Sequence, residues 1–224
     1  MKSNLIHIML LSIFIISCSD NDADEESKLL DTSSDSSGTV TNPVTGRIWM
    51  DRNLGASNVA SSSTDINSYG SLYQWGRDTD GHELRTSSTT NTVSNTTSPG
   101  HSKFVIGYDN WISPQNDSLW QGVNGINNPC PIGFRIPTVA EWEAEKLSWV
   151  SSNAAGALAS VLKLPMGGAR SRMTGAIGNV GNFVGYRTSN LNGAESRVLG
   201  ISLNNVLIGN RARGDGNCVR CIKD

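Results

Sequence analysis

The sequence predicts an α+β domain, with one to two helices and an antiparallel sheet of short strands. Three observations carry this. A single well-marked helix start lies in the middle of the chain, at Pro137-Thr138. Short apolar runs that read as strands follow it, between residues 162 and 222. The rest is rich in Gly, Ser, Thr and Asn, with 23 glycines in 224 residues, a composition that favours short elements and many turns.

The first residues stand apart from this domain. Lys2 precedes an apolar run over 6–16, about 11 residues, the size of a signal-peptide core and too short to span a bilayer. Ile16-Ser17-Cys18-Ser19 resembles the lipobox of bacterial lipoproteins: a branched apolar residue, a small residue, then the cysteine that is acylated and becomes the mature N-terminus. The expected organisation is a signal peptide over 1–17, lipidated Cys18 with an acidic disordered tether over 18–38, and a folded domain over 39–224. The alternative is an ordinary secretory signal with a chance cysteine. Residues 20–35 carry seven acids and one lysine, so this run repels itself and stays solvated. It reads either as plain linker or as similar to the surface-export signal of lipoproteins in the Bacteroidota. The second reading places the domain on the outer face of the outer membrane, with the membrane as partner through acyl chains such as palmitate on Cys18.

Within the folded part, residues 40–54 read as a strand pair around a turn at 41–46, with 47–51 alternating as the second strand. Residues 58–67 and 86–100 read as polar loops. Thr138 and Glu141 have the spacing of a capping box. Behind it Trp142, Lys146, Trp149 and Val150 fall along one side at helical spacing, with Glu141 and Glu145 on an adjacent strip. A short second helix is expected over 153–162. Strands are expected over 162–166, 182–187, 197–201, 206–208 and 218–222.

Residues 36–224 carry 16 Lys/Arg against 13 Asp/Glu with no basic cluster, which gives no reason to invoke nucleic acid. With Cys18 acylated, Cys130, Cys218 and Cys221 remain, and an oxidising compartment implies one disulfide and one thiol. A zinc site at Cys218-x-x-Cys221 lacks a second pair and matching histidines. No cofactor and no metal is expected.

Four segments carry a resemblance. They are Gly46-Arg47-Ile48-Trp49-Met50-Asp51-Arg52-Asn53-Leu54-Gly55-Ala56, Tyr69-Gly70-Ser71-Leu72-Tyr73-Gln74-Trp75-Gly76-Arg77, Asn128-Pro129-Cys130-Pro131-Ile132-Gly133-Phe134-Arg135-Ile136-Pro137-Thr138-Val139-Ala140-Glu141-Trp142, and Val219-Arg220-Cys221-Ile222-Lys223-Asp224. In this order they resemble the Fibrobacter succinogenes major paralogous domain, a family of secreted and lipid-anchored bacterial proteins, over about residues 40–224. The family is similar to C-type-lectin-like folds and to formylglycine-generating enzymes. The resemblance implies a C-type-lectin-like domain with a twisted antiparallel sheet and long loops. It also supports pairing Cys130 with Cys221, which would close a loop of about 90 residues and contribute roughly 4–5 kcal/mol in the chain-entropy model. Family members often carry a Tyr-Trp-Ser-Ser-like stretch on a core strand. Here the matching place reads Phe183-Val184-Gly185-Tyr186-Arg187-Thr188-Ser189, without the Trp.

No catalytic constellation is visible. Formylglycine-generating enzymes use a close cysteine pair upstream of the last strand, and residues 187–217 contain no cysteine. Cys218 and Cys221 are offset by three, which puts them on opposite faces of a strand. There is no Gly-x-Ser-x-Gly elbow and no phosphate-cradling loop. His82 and His101 sit in polar loops and read as surface residues. Residues 78–83, Asp-Thr-Asp-Gly-His-Glu, offer calcium-like oxygens but lack EF-hand spacing. Trp49, Trp75 and Trp142 read as core anchors, whereas Trp111 and Trp120 are the candidates for exposed ligand contact. The expectation is a non-enzymatic, surface-exposed module that binds a polysaccharide or a surface protein. The alternatives are a structural part of an extracellular assembly and a divergent enzyme of the formylglycine-generating type.

Overall fold

A computed structural model describes residues 38–224. The expected signal peptide, Cys18 and all of the tether but Gly38 lie outside the described residues. The elements are strands β1 (Thr39–Thr41), β2 (Ile48–Met50), β3 (Thr89–Thr90), β4 (Phe104–Val105) and β5 (Phe134–Arg135), then helices α1 (Val139–Leu147) and α2 (Ala154–Ala159). Strands β6 (Ala169–Arg170), β7 (Ile177–Gly178), β8 (Phe183–Asn192), β9 (Glu195–Ser202), β10 (Val206–Ala212) and β11 (Ile222–Lys223) follow. About 10% of the chain is helix and 27% strand, in several small sheets, which is broadly α+β.

Residues far apart in sequence close the first sheet, in the order β1-β2-β11-β5. Asn42 starts the β1–β2 turn by accepting the Val44 N–H at its side-chain oxygen, and Gly46 supplies the φ of +67° that the turn needs. β11 then pairs with both β2 and β5, so the two ends of the domain lie side by side. The disulfide Cys130–Cys221 locks this seam, with the Cα atoms 5.9 Å apart. The second sheet is the antiparallel meander β8-β9-β10, with Val184 opposite Ile201 and Gly200 opposite Leu207. One face of it packs on α1 and α2.

α1 starts as its capping box requires. Thr138 accepts the Glu141 N–H, and Glu141 accepts the Thr138 N–H at 2.8 Å. The helix ends at Leu147 with Ser148 as C-cap, so Val150 lies beyond it and is 88% exposed rather than on the inner face. α2 is shorter than the sequence suggests: the chain leaves helical geometry at Ser160, whose ψ is 166°. Leu162 and residues 164–166 are buried but form no strand, because Lys163, exposed between them, adopts a φ of +49° that breaks extended pairing. β8 and β10 run well past the expected 187 and 208, while the final strand shrinks to two residues.

The last segment nevertheless alternates. Cys218 and Ile222 join the core cluster of Trp49, Trp142, Tyr186 and Leu199, whereas Val219 and Cys221 join that of Met50, Trp75, Trp120 and Cys130. The four motif segments converge on these two clusters. Trp49 and Trp142 pack with ring centroids 4.8 Å apart, and the Trp75 and Trp142 indoles donate to the β8 carbonyls of Thr188 and Arg187.

Long loops bring carbonyls from distant segments together, and buried arginines tie them to one another. Arg220 donates to Asn53 Oδ1, Leu162 O and Met50 O, and Arg187 to the carbonyls of Tyr73, Arg213 and Asp215. Burial lowers the pKa of Arg187 to about 9 and of Arg220 to about 10. Five-donor guanidiniums suit this task because one side chain serves several acceptors at once.

Candidate binding groove on the outer face of the meander

The period of two along β8–β10 sends Val184, Tyr186, Leu199, Ile201 and Val206 into the core. The opposite face carries Gly185, Gly200 and Gly209, one glycine on each strand, with Gly185 directly across from Gly200. The missing side chains at Gly200 and Gly209 leave a trough, while the space over Gly185 is taken by Asn217. A Cβ on Gly200 would stand 3.2 Å from the Phe183 ring, which lies in that space, while a Cβ on Gly209 would meet nothing within 4 Å.

Three cavities meet along this face. One of about 290 Å³ lies between Phe183, Leu207 and Arg211. The next, about 370 Å³, is walled by the β6–β7 hairpin and Asn179 and reaches down to Asn217. The third, about 350 Å³, continues toward Asp109 and Glu195. Arg211 borders all three. Its guanidinium lies over the Phe183 ring, 5.1 Å from the centroid. Arg172, on the far wall, is held by Asp109 at 2.7 Å and Asp215 at 3.4 Å. Burial works to lower its pKa, but these two carboxylates outweigh burial and raise it.

The expected contact residues are elsewhere. Trp111 and Trp120 are both 0% exposed, so the expectation of open stacking faces is corrected. The Trp111 indole donates to Trp75 O and the Trp120 indole to Asn127 O, each at 2.7 Å. Both rings pin the loops that carry them. Phe183, Arg211 and Asn217 were passed over because their grouping depends on which strands pair. The glycines at 185, 200 and 209 were the available signal, but their spacing means nothing until the register is known.

His82 is also buried rather than at the surface. Its Nε2 accepts the Gln74 N–H at 3.1 Å, which leaves the proton on Nδ1, 2.8 Å from Asp80 and 3.3 Å from Glu83. These three residues bring potential metal-ligand atoms within 4.8 Å of one another. The cluster is already satisfied without a cation, because Arg77 takes the other Asp80 oxygen at 2.7 Å and Gly81 N–H donates to Glu83. Burial tends to raise both carboxyl pKa values, but His82 together with Arg77 at Asp80 and with backbone N–H donors at Glu83 outweighs it and lowers them.

The two strand cysteines are spent differently. Cys221 is in the disulfide, as expected, and Cys218 is a buried free thiol whose pKa burial pushes up to about 11. No protein-family model matches the chain, and neither a curated protein nor a solved structure is significantly similar to it.

Proposed function

We propose that the folded part is a non-catalytic binding module of the C-type-lectin-like kind, similar to the Fibrobacter succinogenes major paralogous domain. It is carried by a bacterial lipoprotein, anchored in the outer membrane through Cys18 and displayed at the cell surface. The observation that carries the binding role is the glycine-lined trough, where three cavities meet at Arg211 beside an aromatic ring. The ligand is a polysaccharide or a surface protein. The groupings that could suggest catalysis have structural employment: Glu141 caps a helix, both His82 nitrogens are engaged, and Cys221 is oxidised. The test is retention on an array of polysaccharides and envelope proteins, comparing the wild type with Gly209→Val. A Cβ at 209 meets no other atom within 4 Å, so the added side chain projects into the trough. Loss of retention in a folded variant is expected; equal retention, or none by either protein, sinks the groove as the contact surface. Protease treatment of intact cells tests display: survival of the domain would place it on the periplasmic side.

One observation favours the structural reading instead. Val44 and Val150 are 74% and 88% exposed, and both border a recess of about 160 Å³ between the β1–β2 turn and the end of α1. Stoichiometric co-purification of one envelope protein, lost in Val150→Asp, would favour an assembly component.

A further inference from the structure

The middle cavity of the groove has an unsatisfied floor. Asn217 is 0% exposed, borders this cavity, and neither its Oδ1 nor its Nδ2 has a hydrogen-bond partner. The side chain is not there by accident of a loose loop. Its backbone is bridged to Tyr73 in both directions, at 2.8 and 3.1 Å, and Gly185 leaves room for it: a Cβ there would stand 2.3 Å from Oδ1. A buried amide with nothing to bond is costly, so it calls for an occupant. That occupant must offer a donor to Oδ1 and an acceptor to Nδ2. Hydroxyl groups do both.

The walls add a charge preference. Three arginines, 170, 172 and 211, face this cavity against a single acid, Asp215. Two of them are committed. Arg170 donates to the carbonyls of Gly175, Leu84 and Ser87, and Arg172 holds Asp109 and Asp215. Arg211 is exposed, and among the described residues its guanidinium has neither an ion pair nor a hydrogen bond, only the Phe183 ring beneath it. A planar fork kept in place by stacking is suited to a carboxylate.

We propose that this pocket binds a carboxylate-bearing saccharide. Its hydroxyls satisfy Asn217 once that enclosed side chain turns toward the cavity, its carboxylate pairs with Arg211, and its ring lies toward Phe183 and Ile177. The proposal rests on the groove being a binding surface and names the ligand class. A carboxylate by itself only accepts hydrogen bonds and leaves the Asn217 oxygen unserved, so an acidic peptide would have to turn a backbone N–H to it, whereas a saccharide carries the needed hydroxyls on the same ring as its carboxylate.

The test is calorimetric titration of the full-length protein with trisaccharides bearing uronate or sialate, their carboxyl methyl esters, and a pentaglutamate peptide. Acid forms are expected to bind at least tenfold more tightly than their esters. Arg211→Gln should bring the acids down to the level of the esters and leave the esters unchanged. Asn217→Leu, close in volume and uncharged, should weaken acid and ester alike; Arg211 is exposed, so its variant keeps the test alive if the buried one does not fold. Equal binding of acid and ester, or an Arg211→Gln variant without effect, overturns the charged ligand while leaving a binding groove in place. Binding of pentaglutamate alone overturns the saccharide. If none of these probes binds while the Gly209→Val comparison still reports a ligand, the ligand class is wrong and the groove survives; if that comparison is blank as well, both fall.

Discussion

Asn42 donates through Nδ2 to Glu145 Oε2 at 2.6 Å and so ties the β1–β2 turn to the inner face of α1. The Trp149 indole donates to the other oxygen at 3.2 Å. Glu145 is thus 0% exposed and hydrogen-bonded, yet none of the ion pairs found among the described residues includes it. Burial raises its pKa above the ordinary 4.5, and the bonds from Asn42 and Trp149 offset this only in part.

The consequence has a definite sign. A carboxyl with a raised folded-state pKa binds more protons in the native than in the unfolded state, so its contribution becomes less favourable as pH rises above the unfolded value. Glu145→Gln removes that dependence. In urea melts taken from pH 4 to pH 8, the variant should gain on the wild type as pH rises. A gap that moves the other way would show that the buried carboxylate is favoured as an anion.

Glu141, one turn earlier, behaves oppositely. Burial works to raise its pKa, but the bidentate contact with Arg135, at 2.8 and 2.9 Å, and the bonds from Thr138 outweigh burial and lower it to about 2. Its stabilisation is full above the unfolded value of about 4.5 and disappears as pH falls toward 2. Glu141→Gln should cost about 0.5–1 kcal/mol at pH 7, from the lost ion pair with Arg135, since glutamine can still accept the Thr138 N–H. The cost should shrink to nearly nothing at pH 2. A cost that is flat across this range would assign the whole effect to packing.

These two glutamates also show what the sequence could reveal. The Thr138–Glu141 box was legible because it is local: three residues and one turn of backbone decide it. The turn at Asn42 and the strand through Trp49 were legible for the same reason. Glu145 read only as part of a strip beside the Trp142–Trp149 side of the helix, because nothing nearby announces Asn42, 103 residues upstream. Trp111 and Trp120 read as exposed because they sit in a polar loop, and the carbonyl that fixes Trp111 belongs to Trp75. The trough could not be seen at all: Gly185, Gly200 and Gly209 become neighbours only through strand pairing, and Asn217 joins them because the next residue, Cys218, bridges to Tyr186 on β8.

The Cys130–Cys221 bond closes a separation of 91 residues and joins the loop before β5 to the last strand. Removing it by Cys130→Ala with Cys221→Ala should lower the unfolding free energy by up to about 4–5 kcal/mol, chiefly by freeing the unfolded chain. Because β11 lies between β2 and β5, local opening should start at this seam. Hydrogen exchange should therefore rise first at Met50, whose N–H donates to Cys221 O at 3.0 Å, and at Ile222. Unchanged urea midpoints in the double variant would mean that packing in the Trp75–Trp120 cluster already holds the seam.

Cys218 should be chemically silent in the folded protein. It is 0% exposed, lies in the cluster of Trp142, Tyr186 and Leu199, and its thiol reaches only the Tyr69 carbonyl, at 3.5 Å. Burial holds its pKa near 11, so thiolate is scarce at neutral pH as well as inaccessible. A thiol-reactive chromophore added to the oxidised folded domain should label nothing on the timescale of minutes. After denaturation without reductant, one of Cys130, Cys218 and Cys221 should label, and peptide mapping should place the label at Cys218. Cys218→Ser should refold but lose roughly 1–3 kcal/mol, because a hydroxyl is costlier than a thiol in an apolar cluster. Rapid labelling of the native protein would mean that this part of the core opens, and the Cys218-x-x-Cys221 pair would then return as a candidate for thiol–disulfide exchange.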